Sequence, residues 1–174
     1  MPIVPETKSW TWVLEKPCPE CGFDAGSLAY ASIPAIVRDN ATQWPAVLAR
    51  PDVRQRPNDH SWSPLEYAAH VRDVHRVFLG RVELMRAQDD PAFANWDQDS
   101  TAVADRYDLQ DPTTVARELT DAAGHVAAAF QAVPPEELGR TARRSDGASF
   151  TIATLARYFV HDPVHHLWDV THAA

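Results

Sequence analysis

The stretch YFVHDPVHHLWD, residues 158–169, combines three histidines with aromatic and aliphatic residues. In a helix, His161 and His165 would lie on one face, because 3.6 residues complete a turn. Two neutral imidazoles at this spacing can hold one divalent metal ion. The same spacing also suits two core histidines that hydrogen bond to carboxylates or water. The stretch therefore predicts a buried helix and a candidate metal site.

Three segments upstream also predict helices. The first runs from Ser32 to about residue 50, and Pro45 predicts a kink after Trp44. The second begins at Ser63, where Glu66 completes a capping box, and runs to about residue 86. The third opens at residues 111–112 and ends before residue 134. A cap at residue 149 begins the last helix, and residues 136–149 are expected to form a loop.

No stretch alternates apolar and polar residues as a half-buried strand would. The sequence thus predicts an all-α fold, a four-helix bundle in a single domain over residues 1–174. A net charge of −8 argues against nucleic acid as a partner. The chain shows neither a signal peptide nor a long apolar run, so we expect a cytoplasmic protein without membrane contact. An exposed apolar helix face would be compatible with a homodimer.

Residues 1–31 are expected to form an N-terminal arm. Four prolines exclude a long helix there, and Trp10 and Trp12 can anchor the arm on the domain. Cys18 and Cys21 lie in the motif CPECG, which resembles half of a zinc knuckle. Because no second Cys-x2-Cys completes it, we favour a surface turn with free thiols over a second metal site or a redox disulfide.

The second helix carries a further histidine, His70, within its apolar face. It could meet His161 and His165 in the bundle core and complete a three-histidine metal site with an open coordination position. His75 lies five positions further on, about 140° around the helix, so we expect it at the surface. Residues 88–110 are polar but contain Phe93, Trp96 and Tyr107, and such a segment either covers a site or packs outside the helices.

The motif WSPLEYAAHVRD, residues 62–73, is followed about 90 residues later by HDPVHH, residues 161–166. This pattern resembles the DinB/YfiT-like metalloenzyme superfamily. The SDG turn at residues 145–147, the ending HDPVHHLWDV and the CPECG arm resemble its actinobacterial, mycothiol-dependent-enzyme-like members. The resemblance implies an up-down-down-up bundle that binds zinc or nickel through His70, His161 and His165. Since His166 follows His165 directly, the third ligand could shift by one residue.

The same resemblance implies a small-molecule enzyme, foremost a metal-dependent S-transferase that uses a low-molecular-weight thiol such as mycothiol or bacillithiol. Arg143, Arg144 and Arg157 are candidates to bind the thiol carrier. A metal-dependent hydrolase is the alternative enzyme, with Asp73 or Asp169 as a candidate base or as the hydrogen-bond partner of a ligand histidine. A non-catalytic metal-binding or sensing protein is the third hypothesis, and it predicts no substrate cavity beside the metal.

Overall fold

The computed structural model describes residues 9–172, and helices account for most of them. Residues 1–8, which include two of the four arm prolines, lie outside the described part. Within this described part, six α-helices occur: α1 (Ile33–Ala41), α2 (Trp44–Leu48), α3 (Pro64–Ala87), α4 (Gln98–Ala104), α5 (Pro112–Gln131) and α6 (Ile152–His172).

The bounds of the long helices follow from local hydrogen bonding. At the start of α3, Ser63 and Glu66 form the predicted capping box, in which each side chain accepts a bond from the other residue's backbone. Asp111 caps α5 by accepting a bond from the backbone amide of Thr114. The predicted first helix is in fact two helices, because Pro45 lies in the first turn of α2 and the chain breaks before Trp44 rather than after it.

The long helices form a four-helix bundle in which α1 with α2 makes the first member, followed by α3, α5 and α6. Both α1 and α3 pack against α5 and α6, which confirms the expected fold class, an all-α four-helix bundle. The core fills the space between them with fully buried side chains such as Trp44, Leu65, Leu119, Phe130 and Phe159. No helix within residues 9–172 combines the length and the apolar character that a membrane-spanning segment requires.

A small sheet, which the sequence did not predict, joins the connection between α3 and α5 to the connection between α5 and α6. Its strands are β1 (Ala92–Phe93), β2 (Thr141–Arg144) and β3 (Ser149–Thr151), with β1 parallel and β3 antiparallel to β2. Strands of two to four residues are too short to show an alternating pattern. Ser149 was expected to cap the last helix, but it belongs to β3, and that helix begins at Ile152.

The described part of the arm folds back onto the last helix. A 3-10 turn at Thr11–Leu14 packs against α6. The ring of Trp10 lies 5.5 Å from that of His161 and 5.3 Å from that of His165, measured between centroids. This contact confirms that a tryptophan anchors the arm, as the sequence predicted.

Candidate metal centre

Three potential metal ligands from two helices converge beside the core. His70 lies on α3, whereas Asp162 and His166 lie one turn apart on α6. One ligand atom of each residue lies within 4.8 Å of those of the other two. The Nε2 atom of His70 is 3.3 Å from Oδ1 of Asp162, and the rings of His70 and His166 are 4.9 Å apart. Two imidazoles and one carboxylate form a donor set that divalent transition metals accept.

The hydrogen bonding of this cluster is incomplete within the described chain. His70 is fully buried, and although its Nε2 lies within ion-pair distance of Asp162, neither of its ring nitrogens forms a hydrogen bond of good geometry among residues 9–172. The same holds for Oδ1 of Asp162. Burial alone would raise the pKa of Asp162, but His70 and His166 lower it well below its usual range. Since unpaired buried polar atoms are costly, a metal ion fits this cluster as the missing partner.

Neighbouring side chains hold the two histidines in position. The indole of Trp96 stacks on the His70 ring at 5.4 Å with an angle of 6° between the planes, and Trp62 contacts His70 at 5.2 Å. Asp169 places Oδ2 2.9 Å from Nδ1 of His166. A carboxylate on one ring nitrogen of a metal-binding histidine fixes its tautomer and leaves the other nitrogen for the metal.

The cluster opens onto a cavity of about 660 Å³. Asp162, His166 and Trp96 contribute to its wall, so an ion held there would be reachable from the cavity. Further along, the cavity is bordered by the buried guanidinium groups of Arg81 and Arg144. A volume of this size accommodates a small organic molecule.

A second cluster lies on the neighbouring face of α6 and consists of Cys18, Cys21, His161 and His165. Cys18 is almost fully buried, which corrects the expectation of a surface turn. Burial raises the pKa of Cys21 to about 11. Burial and the neighbouring His165 lower the pKa of His161 to about 4, and burial together with His166 lowers that of His165.

The expected set of His70, His161 and His165 is thus divided between two clusters. His70 groups with Asp162 and His166, whereas His161 and His165 face the two cysteines. Adjacent residues of a helix point about 100° apart, so a shift by one residue exchanges one pair of ligands for another. Asp162-x3-His166 repeats the spacing of His161-x3-His165, which is the signal in the sequence that identifies the alternative pair.

The carboxylate candidates occupy different positions. Asp73 bonds to Arg72, Arg76 and the hydroxyl of Tyr107, and these partners keep its pKa below the usual value although burial opposes this. It is not among the described residues that line the cavity. Asp169 lines the cavity and positions His166.

Of the three arginine candidates, one reaches the cavity. Arg144 lines it and bonds to Asp146 and Tyr158. Arg143 is largely exposed and pairs with Asp90, whereas Arg157 donates to the carbonyl of Leu28. Neither of these two is among the described lining residues.

Two further residues differ from expectation or were missed. His75 is fully buried instead of exposed, because α3 is enclosed by the bundle on more than one face, and its ring packs on Phe159 at 5.6 Å. Burial lowers its pKa to about 4. Arg81 lines the cavity, but it was not singled out from the sequence. Its position among apolar residues of a predicted helix was the feature that could have identified it.

Comparison with known proteins agrees with this architecture. No curated protein matches the chain. One solved structure that is similar to this chain is that of YfiT from Bacillus subtilis, described as a probable metal-dependent hydrolase with an unusual four-helix bundle topology. The two are 16% identical with a TM-score of 0.64, and the match covers 98% of this chain and 92% of YfiT. The family model of the DinB superfamily matches residues 36–170. The chain therefore belongs to the DinB superfamily.

Proposed function

We propose that this protein is a metal-dependent enzyme whose divalent ion is held by His70, Asp162 and His166. The observation that carries the proposal is the fully buried His70 ring, whose nitrogens form no hydrogen bond of good geometry within residues 9–172 while two further donors converge on it. Three protein ligands leave a coordination position for a reactant, which is typical of catalytic sites. The adjoining cavity, with Trp96 in its wall, argues against a purely metal-storing or sensing role.

The reaction that we propose is the transfer of a low-molecular-weight thiol to an electrophile. A divalent metal ion at this site would lower the pKa of a bound thiol and keep the thiol in its nucleophilic thiolate form. In the transfer, the sulfur forms a bond to an electrophilic carbon, and the leaving group departs with its electron pair. The thiol proton passes to water in the cavity. Asp169 and Trp96 orient the two histidine rings during this step.

The far end of the cavity suits an anionic or strongly polar thiol carrier. Arg81 and Arg144 both lie there, and Arg81 forms no salt bridge with any carboxylate in residues 9–172. His70 and Arg81 are eleven residues apart on α3, which corresponds to about 16 Å along the helix. A molecule of this length, with its sulfur at the metal and a carboxylate or polyhydroxyl group at Arg81, would span the cavity. Mycothiol and bacillithiol have this extended, polar character.

A metal-dependent hydrolase is the second candidate, and two observations favour it. YfiT, which shares the fold, is described as a probable metal-dependent hydrolase. In addition, Asp97 and Asp99 contribute carboxylates to the cavity wall. Such a group can accept a proton from water that attacks a substrate. Both candidates use the same metal site and differ in the nucleophile.

One experiment distinguishes these reactions. Protein purified without chelator and loaded with zinc or nickel is incubated with mycothiol or bacillithiol and a bromomethyl electrophile, and products are identified by mass spectrometry. The transferase proposal predicts a thioether conjugate formed faster than without protein. The His70→Ala variant should lose this acceleration and about one equivalent of metal, whereas the exposed His125→Ala variant should keep both.

A product that contains no thiol, formed from an ester or amide substrate at a rate that depends on His70, would support the hydrolase instead. Full metal retention in His70→Ala would contradict the metal site itself. An unaccelerated reaction with both thiols, together with hydrolysis, would refute the transferase proposal.

A further inference from the structure

The second cluster on α6 brings two cysteines of the arm to two histidines of the last helix. Their ligand atoms all lie within 4.8 Å of one another. Cys18 and Cys21 come from the CPECG turn, and His161 and His165 lie one helical turn apart. The chain thus supplies the two halves of a four-ligand site from positions about 140 residues apart. The sequence shows only one Cys-x2-Cys, and the partner pair is the His-x3-His of α6.

The distances match those of a tetrahedral zinc site. With zinc–sulfur bonds of about 2.3 Å and zinc–nitrogen bonds of about 2.05 Å, tetrahedral geometry separates a sulfur from a nitrogen by about 3.6 Å. Sγ of Cys18 is 3.7 Å from Nδ1 of His165, and Sγ of Cys21 is 3.8 Å from Nε2 of His161. Two sulfurs and two nitrogens in this arrangement form one of the common structural zinc donor sets.

The surroundings of the cluster are those of a structural metal site. The turn that presents the sulfurs is closed by bonds between Cys18 and the backbone of Gly22 and Phe23, and Gly22 has φ +72°, which favours glycine. Nε2 of His165 lies 3.5 Å from Glu20 and 3.7 Å from Asp169. A ligand histidine commonly directs its second nitrogen to a carboxylate in this way.

A nucleophilic cysteine is the competing explanation, since Cys18, His165 and Asp169 have the residue types of a cysteine–histidine–carboxylate catalytic triad. Cys18, however, is only 1% exposed and cannot meet a substrate. A triad also gives no reason for Cys21 and His161 to converge on the same point. Separate thiol–imidazole hydrogen bonds would account for each pair alone, but not for four donor atoms within 4.8 Å.

We infer that Cys18, Cys21, His161 and His165 bind a zinc ion that fastens the arm to α6. All four tetrahedral positions are filled by protein, so this zinc has a structural role, in contrast to the open site at His70. The family model begins at residue 36, and the arm that supplies both cysteines lies outside it. The zinc would hold Trp10 and Glu20, two arm residues in the cavity wall, next to the site proposed for catalysis.

The test uses the full-length protein, expressed with zinc and purified without chelator or metal resin. Zinc is measured by elemental analysis, and its ligands by X-ray absorption at the zinc edge. The wild type should show a zinc–sulfur shell at about 2.3 Å. The Cys18→Ser/Cys21→Ser variant should lose one zinc per chain together with that shell. Its helical circular dichroism should be retained, because the bundle helices lie outside the arm.

The His70→Ala variant is the matched control, because it removes a ligand of the other cluster only. It should keep the zinc–sulfur shell, whether or not the catalytic proposal is correct. A thiol assay on the wild type gives a second readout: both cysteines should resist alkylation until a chelator is added. Freely alkylated thiols, a Cys18–Cys21 disulfide, or zinc without sulfur ligands in the wild type would overturn the inference.

Discussion

At the scale of single residues, Arg81 is a buried cation that a polar substrate could use. Its guanidinium packs between Phe78 and Phe93 and donates one bond to the carbonyl of Ala94. Burial and the nearby Arg144 lower its pKa to about 10, so it stays charged at neutral pH. Burying a cation without a carboxylate partner is costly, and an anionic ligand would offset that cost.

We expect Arg81→Met to raise the KM for the thiol about 10- to 150-fold, because a hydrogen bond to a charged group contributes about 1.5–3 kcal/mol. Metal content should remain unchanged, since Arg81 contacts neither metal cluster. Steady-state kinetics with varied thiol provides the measurement. The control is Arg143→Met, which alters an exposed arginine outside the cavity lining. An equal effect of both variants would show that overall charge, not a specific contact, matters.

His75 should make the folded state sensitive to acid. Its pKa falls from the usual 6.5 to about 4, chiefly through burial, so the unfolded chain binds a proton in this interval that the folded chain does not. The contribution of the neutral, buried His75 to the free energy of unfolding is therefore fully present above pH 6.5 and is lost as the pH falls toward 4. The loss amounts to roughly 3 kcal/mol.

The measurement is urea unfolding of chelator-treated wild type and His75→Leu at pH 7 and pH 4, which keeps the metal ligands in the same state in both proteins. The free energy of unfolding should fall less in the variant. A parallel decline in both proteins would mean that other groups account for acid sensitivity.

At the scale of elements, the connection between α3 and α5 is more ordered than its polar composition indicates. Residues 88–111 contain β1 and α4, and the hydroxyl of Tyr107 bonds to Asp73 on α3. The sequence left two roles open for the aromatic residues of this segment, covering a site or packing against the helices, and the structure shows one residue in each position. Tyr107 is buried against α3, whereas Trp96 faces the cavity and stacks on His70. The expectation that this segment covers the site remains a prediction, and Trp96 is the residue that tests it.

We expect Trp96→Ala to alter thiol or electrophile affinity and to leave metal content and melting temperature nearly unchanged, because Trp96 is only partly buried. The Trp96→Phe variant is the control, since it keeps an aromatic ring for His70 but loses the bond from the indole nitrogen to Thr101. Isothermal titration and thermal unfolding provide the two readouts. A loss of about 3 kcal/mol of stability with unchanged affinity would make Trp96 a packing residue.

Local signals explain which elements the sequence could predict. The capping box at Ser63 and the cap at Asp111 each act within one turn, so the starts of α3 and α5 were predicted correctly. The sheet was missed because its pairing joins residue 92 to residue 143, and no local pattern records such a contact. The sequence predicted the break before α2 about two residues too late, since Pro45 lies in the first turn of a new helix instead of bending an old one.

At the scale of the whole molecule, four amphipathic segments were enough to predict the bundle. The division of the candidate metal ligands between two clusters was not predictable in the same way. The sequence offers two equally spaced pairs on α6, and their assignment depends on which element packs on each face. The arm covers the face with His161 and His165, and α3 covers the face with Asp162 and His166. That choice is made by tertiary packing.

The most direct test of the proposed catalytic centre is an anomalous difference map from crystals of zinc-loaded protein, recorded on both sides of the zinc absorption edge. We expect a peak within about 2.2 Å of one donor atom each of His70, Asp162 and His166. A peak that joins His70 to His161 and His165, or no peak between His70, Asp162 and His166 in fully loaded protein, would contradict it.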